Sequence, residues 1–355
     1  MKTIVLTGGG TAGHVTPLIA LLPQLKKEGY KIQYIGSYNG IEKQLIKDCD
    51  VPYYGISSGK LRRYFDFKNF TDPFKVIKGY YQAKSLLKKL KPNIVFSKGG
   101  FVSVPVVLAA KSRKIPVIVH ESDITPGLAN KIAFPSAQII CANFPETMRY
   151  LPEGKAHITG TPIRRELFHG DKSKGLSFCG LNNKKPVLLI IGGSTGSKII
   201  NDTVKEVLPT LLKDYQIIHL CGKDNLDDSL YHLTGYSQFE YIHSELSDIF
   251  AASDLVISRA GANVICELLA LRKPNILIPL SQNASRGDQI LNAKSFEKQG
   301  YSFMIMQEDL NTTSLQQAIN TVFSKKKDYI NTMTSSKLNN SITSILELIK
   351  EIELN

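Results

Sequence analysis

The chain has 355 residues, of which 43% are hydrophobic and 21% are charged, so it can fill the cores of two domains and is not a disordered protein. No run approaches the roughly 18 to 20 apolar residues of a membrane span, and Ile4–Leu6 is too short for a signal peptide, which predicts a cytoplasmic protein. The five cysteines stand singly, without C-x-x-C spacing, which argues against a disulfide framework and a zinc site.

The net charge of +13 is concentrated in the first half of the chain. Through Ile163 there are 23 Lys and Arg against 10 Asp and Glu, whereas from Arg164 onward there are 21 of each. Such asymmetry predicts an anionic partner for the first half. Nucleic acid, an acidic membrane surface and a phosphorylated substrate all fit this charge.

Short β-branched runs alternate with longer amphipathic stretches along both halves. This alternation, with strands that are apolar nearly throughout, predicts an α/β protein in which each half is a doubly wound parallel sheet with helices on both faces. The predicted strands are 3–7, 31–36, 93–97, 116–121, 138–142 and 157–160 in the first half, and 186–193, 215–222, 239–242, 254–261, 274–280 and 301–306 in the second.

The break between the halves falls near 160–165, where Pro162 and the polar stretch 170–185 interrupt the pattern. We therefore expect domains at 1–163 and 164–355. Ligands bind at the carboxyl ends of parallel strands, which predicts that the two domains face each other over a cleft. A helix over 341–354 follows the second domain and could pack on either one.

Glycine turns follow predicted strands at four places, and a glycine turn before a helix presents free amides to a phosphate. In the first, TGGGTAGHVTP, Gly8, Gly10 and Gly13 fit the dinucleotide pattern G-x-G-x-x-G. A dinucleotide site also needs an acid at the end of the second strand, and 35–37 reads Ile-Gly-Ser. The turns therefore predict a phosphate-rich ligand without a nicotinamide or flavin; they lie at 8–13, 98–100, 192–196 and 259–263.

Two side chains near these turns are candidates for chemistry. His14 stands where the first helix begins, a position that disfavours the imidazolium, so it could accept a proton from a sugar hydroxyl or simply bond locally. Glu267 lies in an apolar helix and needs a partner, because burying a lone charge is costly. The vicinal hydroxyls of a ribose would serve, and so would an ion pair with Arg259 or Arg272.

A basic aromatic stretch at 60–91 has ten Lys or Arg, two Asp and seven aromatic residues. This mixture suits the headgroup region of an anionic bilayer, although single-stranded nucleic acid uses the same ingredients and some of these residues could be an ordinary solvated helix face. The Asp48-Cys-Asp50 triplet is interpreted as a solvated loop, and neither a metal nor a cofactor is expected. The predicted membrane anchors are Tyr64, Phe65, Phe67, Phe70, Phe74, Lys75 and Lys78.

Several motifs in order resemble the MurG family of GT-B glycosyltransferases over essentially the whole chain. The family transfers N-acetylglucosamine (GlcNAc) from UDP-GlcNAc to the 4-hydroxyl of MurNAc in lipid I, forming lipid II, at the cytoplasmic face of the bacterial membrane. The motifs are TGGGTAGHVTP (7–17), SKGGFVSVP (97–105), HESDITPGLANK (120–131), TGTPIRRE (159–166), IIGGSTGS (190–197), RAGANVICE (259–267) and the pair at 288–289.

The resemblance implies UDP-GlcNAc, lipid I and the anionic inner leaflet as partners, and no nucleic acid. His14 would be the base, with Glu121 or Asp123 in reserve; Asp123 and Ala12 stand where many members have Asn and Gly. The acceptor pyrophosphate would lie at Gly10, Gly99 and Gly100. The implied donor contacts are Thr11, Ala12, Gly13, Arg164, Ser194, Ile242, Ala262, Asn263, Val264, Ile265, Cys266, Glu267 and Gln289.

Three other functions fit parts of the sequence. A GT-B transferase acting on diacylglycerol would share the donor motifs and differ in acceptor. A basic nucleic-acid-binding protein would explain the charge and the aromatic residues but not the glycine turns. A non-catalytic nucleotide sensor would bind a UDP-sugar without turnover.

Overall fold

The computed structural model describes residues 2–59, 68–193, 195–282 and 287–354, without the side chains of 68–71, 337 and 339. The chain forms two compact units: unit 1 contains Met1–Arg164 and Asn340–Asn355, and unit 2 contains Arg165–Asn339. The division thus falls one residue beyond the sequence-based boundary, and the C-terminal segment, which that boundary assigned to the second domain, belongs to unit 1.

Each unit is built on one parallel sheet. Unit 1 has the strand order β3-β2-β1-β4-β5-β6-β7 and unit 2 the order β10-β9-β8-β11-β12-β13, so the predicted pair of doubly wound α/β sheets is confirmed. The strands are β1 Thr3–Gly8, β2 Lys31–Ser37, β3 Tyr53–Ile56, β4 Ile94–Gly99, β5 Val117–Glu121, β6 Ile139–Ala142, β7 Ala156–Ile158, β8 Val187–Ile191, β9 Gln216–Leu220, β10 Tyr236–Phe239, β11 Leu255–Ser258, β12 Asn275–Leu277 and β13 Phe303–Met304.

Helices connect the strands of both units. Among the described residues, none of the helices combines the length and apolarity needed to cross a bilayer. The α-helices are α1 Thr16–Lys27, α2 Ile41–Lys47, α3 Lys68–Leu90, α4 Ser103–Ser112, α5 Leu128–Ala133, α6 Lys172–Phe178, α7 Lys198–Asp214, α8 Leu246–Ala252, α9 Ala262–Ala270, α10 Asp288–Lys298, α11 Thr312–Ser324, α12 Lys326–Thr334 and α13 Ser341–Leu354.

Eleven of the twelve predicted strands overlap the observed ones by two residues or more, and the differences are at sheet edges. The pattern missed β3, an edge strand that reads Tyr-Tyr-Gly-Ile and has only its last residue buried. The expected strand at 239–242 lies three residues too late, because β10 alternates buried and half-buried residues and the apolar run begins where this strand ends. Edge strands pack on fewer neighbours, so their sequence signal is weaker.

The sheet of unit 1 is buried on both faces, as the continuous apolar strands predict. Ile4 and Leu6 point to the face covered by α1 and α13, whereas Val5 points to the face covered by α3 and α4. In α13, Ile345 and Ile349 lie one turn apart and are fully buried against α1. The C-terminal helix is therefore an integral layer of unit 1.

Polar contacts hold both ends of α13. At its start, the Ser341 hydroxyl donates a 2.8 Å hydrogen bond to the Thr161 carbonyl. Near its end, Glu353 accepts a 2.8 Å hydrogen bond from the Tyr30 hydroxyl and pairs with Lys2 at 2.7 Å. These contacts fix the register of the helix on unit 1.

Replacing Ile349 with Ala should lower the free energy of unfolding of unit 1 by about 2–5 kcal/mol, because the change leaves a cavity in the layer under α13. Urea unfolding followed by circular dichroism measures the loss. Glu347→Ala on the exposed face of the same helix is the control and should stay within about 0.5 kcal/mol. Equal losses in the two variants would contradict the buried position of Ile349.

Candidate active site

The strand order reverses beside the first strand of each unit, and ligands bind at such switch points. In unit 1 the switch lies between β1 and β4, and in unit 2 between β8 and β11. All four glycine turns singled out in the sequence follow these four strands. The fold thus gathers two turns at the carboxyl edge of each sheet.

The two turns of unit 1 are packed against each other. The Gly9 amide donates a 3.3 Å hydrogen bond to the Gly99 carbonyl. A Cβ at Gly100, whose φ is +84°, would lie 2.1 Å from the Gly9 carbonyl oxygen, so no larger residue fits there without moving the backbone. This approach places the peptides of Gly9 and Gly10 at the centre of the switch point.

His14 ends a short 3-10 helix at Ala12–His14 and is half-buried. Its Nδ1 lies 3.0 Å from the Gly9 carbonyl oxygen and 3.2 Å from the Thr11 hydroxyl. A carbonyl oxygen only accepts hydrogen bonds, so the Nδ1 proton is donated to Gly9 and the lone pair of the neutral ring is on Nε2. From the sequence, local hydrogen bonding and a role as base were alternatives for His14. In this geometry they are compatible, because the bond to Gly9 uses Nδ1 and leaves Nε2 to accept a proton.

Burial, together with the ammonium group of Lys98, lowers the pKa of His14 to about 4. The hydrogen bond to Gly9 and the carboxylate of Glu42 act in the opposite direction. Lys98 follows the apolar part of β4, is only 1% exposed and donates to the Ser122 hydroxyl. The imidazole of His14 is therefore neutral at physiological pH, as a proton acceptor must be.

Glu121, at the end of β5, holds the loop that follows it. Its two carboxylate oxygens accept from the amides of Ser122, Asp123 and Gly127 at 2.8–3.1 Å and from the Asn130 side chain at 2.9 Å. Four donors occupy the lone pairs of this buried carboxylate, which makes it an organiser of the loop. Asp123 is half-buried, and its carbonyl accepts from the Thr147 hydroxyl at 3.2 Å.

The predicted acceptor residues differ in what their amides already do. The Gly10 amide donates to the Glu42 carboxylate at 3.1 Å, and the Gly99 amide lies 3.3 Å from the Ser97 hydroxyl. Gly100 accepts from the Ser103 amide and hydroxyl at the start of α4. Among the described contacts of these three glycines, only the Gly10 amide donates to a carboxylate, that of Glu42.

In unit 2, the turn after β8 leads into the 17-residue helix α7. A Cβ at Gly196, whose φ is +74°, would lie 2.0 Å from the Cys221 carbonyl oxygen, so a close backbone approach requires glycine here. Ser194, the predicted diphosphate contact, lies outside the described residues. The turn brings the N-terminus of α7 to the switch point, where its free amides favour an anion.

Arg259 connects the two turns of unit 2. Its guanidinium donates to the Ser197 hydroxyl at 2.6 Å and to the carbonyls of Ile278 and Pro279 at 3.0 and 3.2 Å. Burial lowers its pKa from the ordinary value. A buried positive charge beside the N-cap of α7 reinforces the attraction of this edge for phosphate.

The predicted nucleoside contacts lie on α9, whose N-cap is Gly261. Ala262, Asn263, Val264 and Glu267 are half-buried at the start and along one side of this helix. Ile265 and Cys266 instead point their side chains into the core, so their side chains are not available to a ligand.

The remaining predicted donor residues are distributed over both units. Ile242 is buried just beyond β10, and Gln289 on α10 accepts from the Leu280 amide at 3.1 Å. Arg164 is the last residue of the first segment of unit 1 and is half-buried. Thr11 and Ala12 are exposed and Gly13 is half-buried in the first glycine turn.

Only part of the basic aromatic stretch is described. Tyr64, Phe65 and Phe67 lie outside the described residues, as does the side chain of Phe70. Three apolar residues of α3 are exposed at helical spacing: Phe74 at 74%, Ile77 at 53% and Tyr81 at 64%. Beside them Lys75 and Lys78 are exposed, and Lys75 pairs with Asp72 at 3.0 Å. We call these five residues, 74, 75, 77, 78 and 81, the α3 patch.

From the sequence, Glu42 and Asn130 received no individual role; Lys98 and Arg259 stood only as the first residues of two glycine turns, and Arg259 also as a possible ion-pair partner of Glu267. Each of these four polar residues has little or no exposure; Glu42 and Arg259 bind turns at the switch points, whereas Lys98 and Asn130 bind the end of β5 and the loop that follows it. A charged residue within an apolar run, as at Lys98 after Ile94–Ser97, is the signal that could have found one of them.

The two parallel sheets, each with a pair of glycine turns at its switch point, define a protein of the GT-B fold class. Residues 4–140 match the glycosyltransferase family 28 N-terminal domain, and residues 187–349 match the C-terminal domain of the same family. The chain therefore belongs to glycosyltransferase family 28.

Relatives and solved structures agree with this assignment. The chain is 65% identical to a UDP-N-acetylglucosamine--N-acetylmuramyl-(pentapeptide) pyrophosphoryl-undecaprenol N-acetylglucosamine transferase of Lachnoclostridium phytofermentans, over 100% of both chains. It is 60% identical to the protein of that name from Clostridium botulinum, over 99% of both. The crystal structure of MurG from Acinetobacter baumannii matches with a TM-score of 0.77 and 26% identity, covering 99% of this chain and 100% of that one.

The fold alone is shared more widely. The calicheamicin glycosyltransferase CalG4 matches with a TM-score of 0.69 at 11% identity, over 99% of this chain and 98% of that one.

In an NMR titration, His14 should remain neutral down to about pH 5, because its pKa lies near 4. Removing the neighbouring ammonium in Lys98→Met should raise this pKa toward the ordinary 6.5. Since the unfolded chain takes up the proton first, His14 should also lower stability as the pH falls from 6.5 to about 4. Titration of His14 near 6.5 in the unmodified protein would contradict this environment.

Proposed function

We propose that the protein is an inverting glycosyltransferase that moves N-acetylglucosamine from UDP-GlcNAc to the 4-hydroxyl of MurNAc in lipid I, forming lipid II for peptidoglycan synthesis. The observation that carries this proposal is the 60–65% identity, over essentially the full length, to relatives named for that reaction. The glycine turns and the neutral His14 supply the chemistry that the reaction needs.

Unit 2 binds the donor in this proposal. The N-termini of α7 and α9 and the buried Arg259 favour the diphosphate, with Ser194 and Arg164 as further contacts. Glu267 accepts hydrogen bonds from the ribose hydroxyls, Ile242 and 262–264 surround the uracil, and Gln289 binds the sugar. The side chains of Ile265 and Cys266 are buried and support α9 from the core rather than touching the donor.

His14 acts on the acceptor. Its Nε2 takes the proton of the MurNAc 4-hydroxyl while that oxygen attacks the anomeric carbon of N-acetylglucosamine. The bond from this carbon to the UDP oxygen breaks with inversion, UDP leaves, and the proton on His14 is later lost to solvent. The acceptor pyrophosphate lies at Gly99 and Gly100, shortly before α4 begins at Ser103, whereas the Gly10 amide is directed at Glu42.

The α3 patch binds the anionic inner leaflet of the cell membrane. Its apolar side chains enter the interface, and each lysine adds on the order of 1 kcal/mol toward anionic lipid. The excess positive charge of the first half of the chain acts in the same direction. The enzyme is thus a peripheral protein at the cytoplasmic face, where its lipid-linked acceptor is found.

Purified protein should release UDP from UDP-GlcNAc only when a lipid I analogue is present. His14→Ala should lower this turnover by about 10²–10⁴ without loss of UDP binding, because a general base contributes roughly that factor. Coupled UDP detection and isothermal titration calorimetry measure the two quantities.

Three other outcomes would contradict parts of this proposal. Turnover with diacylglycerol in place of lipid I would indicate a different acceptor, and UDP-GlcNAc binding without any release would indicate a sensor. Near-normal turnover of His14→Ala would remove His14 as the base.

Replacing Phe74, Ile77 and Tyr81 together with Ser should reduce binding to phosphatidylglycerol vesicles at least tenfold, since a loss of about 1.4 kcal/mol suffices. Vesicle co-sedimentation measures the effect. Tyr231→Ser, which removes an exposed aromatic of unit 2, is the matched control and should bind like the unmodified protein. Undiminished binding of the triple variant would exclude the α3 patch as the membrane contact.

A further inference from the structure

A buried carboxylate stands behind the glycine turn that carries His14. Glu42 lies in the first turn of α2, is 0% exposed, and accepts from the Gly10 amide at 3.1 Å and from the Ser37 amide at 3.0 Å. The Ser37 hydroxyl donates to it as well. The carboxylate therefore joins the end of β2 to the turn after β1.

Three glycines leave room for this carboxylate. A Cβ at Gly9 would lie 2.5 Å from the Glu42 carboxyl carbon, one at Gly36 would lie 2.9 Å from Cγ, and one at Gly40 would lie 2.2 Å from Oε1. Such distances are well inside van der Waals contact. The chain thus has no side chain at each position where one would push the Glu42 carboxylate away from the turn.

One peptide group connects Glu42 to His14. The Gly9 carbonyl and the Gly10 amide belong to the same planar unit. The carbonyl accepts from His14 Nδ1 at 3.0 Å, and the amide donates to Glu42 at 3.1 Å. The order is imidazole, peptide, carboxylate, with a hydrogen bond at each junction.

We propose that Glu42 is a positioning residue for catalysis, which acts on His14 through the Gly9–Gly10 peptide. The proposal rests on the proposed role of His14 as base. A carboxylate that accepts from a peptide N–H polarises the peptide and makes its carbonyl a stronger acceptor. The stronger acceptor holds the His14 Nδ1 proton, so the lone pair stays on Nε2, where the substrate proton is taken.

The arrangement resembles a carboxylate–histidine pair with an amide inserted between its members. In such pairs the carboxylate selects the tautomer and the orientation of the imidazole. Burial and the ammonium group of Lys98 lower the pKa of His14 and so favour the neutral ring, while Glu42 selects which neutral form is present. In this proposal, buried Lys98 helps to keep the imidazole neutral and buried Glu42 sets its tautomer.

The alternative is that Glu42 only stabilises the turn and has no effect on His14. The tautomer of the His14 imidazole distinguishes this structural role from the proposed one. In full-length Glu42→Gln, nitrogen NMR at pH 7 should show His14 shifted from the Nδ1–H toward the Nε2–H form. The same variant should lose at least tenfold in kcat, with less than a twofold change in the affinity for UDP. Glu28→Gln, a carboxylate of unit 1 paired with Lys350, is the matched control and should change none of these quantities.

A double-mutant cycle completes the test. If Glu42 acts through His14, Glu42→Gln should cause no further loss of kcat in the His14→Ala background. Independent, multiplying losses, or an unchanged His14 tautomer in Glu42→Gln, would overturn the proposal. Should Glu42→Gln not fold, Glu42→Asp keeps the charge and withdraws the carboxylate from Gly10, and it must show the same tautomer shift.

The outcomes separate this proposal from the one on which it rests. Normal turnover of His14→Ala would refute the base and with it a catalytic role for Glu42. A tautomer shift in Glu42→Gln together with inactive His14→Ala supports both. An unaltered tautomer together with inactive His14→Ala leaves the base in place and refutes the action of Glu42.

Discussion

The approach of the Gly100 backbone to the Gly9 carbonyl is the constraint on which the candidate site of unit 1 depends. A Cβ at Gly100 would lie 2.1 Å from that oxygen, so the turns after β1 and β4 can pack together only if residue 100 has no side chain. The contact fixes the Gly9–Gly10 peptide, and this peptide in turn meets His14 with its carbonyl and Glu42 with its amide. The geometry of the candidate site in this unit is thus set by the main chain, which moves less than a side chain of several rotamers.

Buried charge is used differently in the two units. In unit 1 burial lowers the pKa of His14, on which the ammonium group of Lys98 and the carboxylate of Glu42 act in opposite directions, and the imidazole is neutral, which suits a group that takes up a proton. In unit 2 Arg259 donates hydrogen bonds to the carbonyls of Ile278 and Pro279 and to the Ser197 hydroxyl. These three acceptors are neutral, so the positive charge of Arg259 still contributes to the electrostatic potential at the switch point. The first arrangement favours proton transfer and the second favours binding of an anion.

The sequence predicted the architecture well because hydrophobic periodicity is a local property. Continuous apolar strands with intervening amphipathic stretches indicated two parallel sheets, and the helix expected over 341–354 has the bounds observed. The edge strand β3 was missed and β10 was displaced, since both have few neighbours and a weak pattern. The assignment of α13 to unit 1 depends on which apolar surface is left uncovered, and this is decided by packing alone.

By itself, the sequence determined the family motifs, the glycine turns and the candidate base, because close backbone approach and phosphate binding require particular residues at fixed spacing. Only the tertiary structure decided what lies behind those turns. Glu42 is 32 residues from Gly10 along the chain, and Lys98 is distant from His14 in the sequence although its charge acts on it. Ile265 and Cys266 are buried while Val264, beside them, is half-buried. Such relations arise when distant segments meet at the edge of a sheet, and the folding of the whole unit sets their distances.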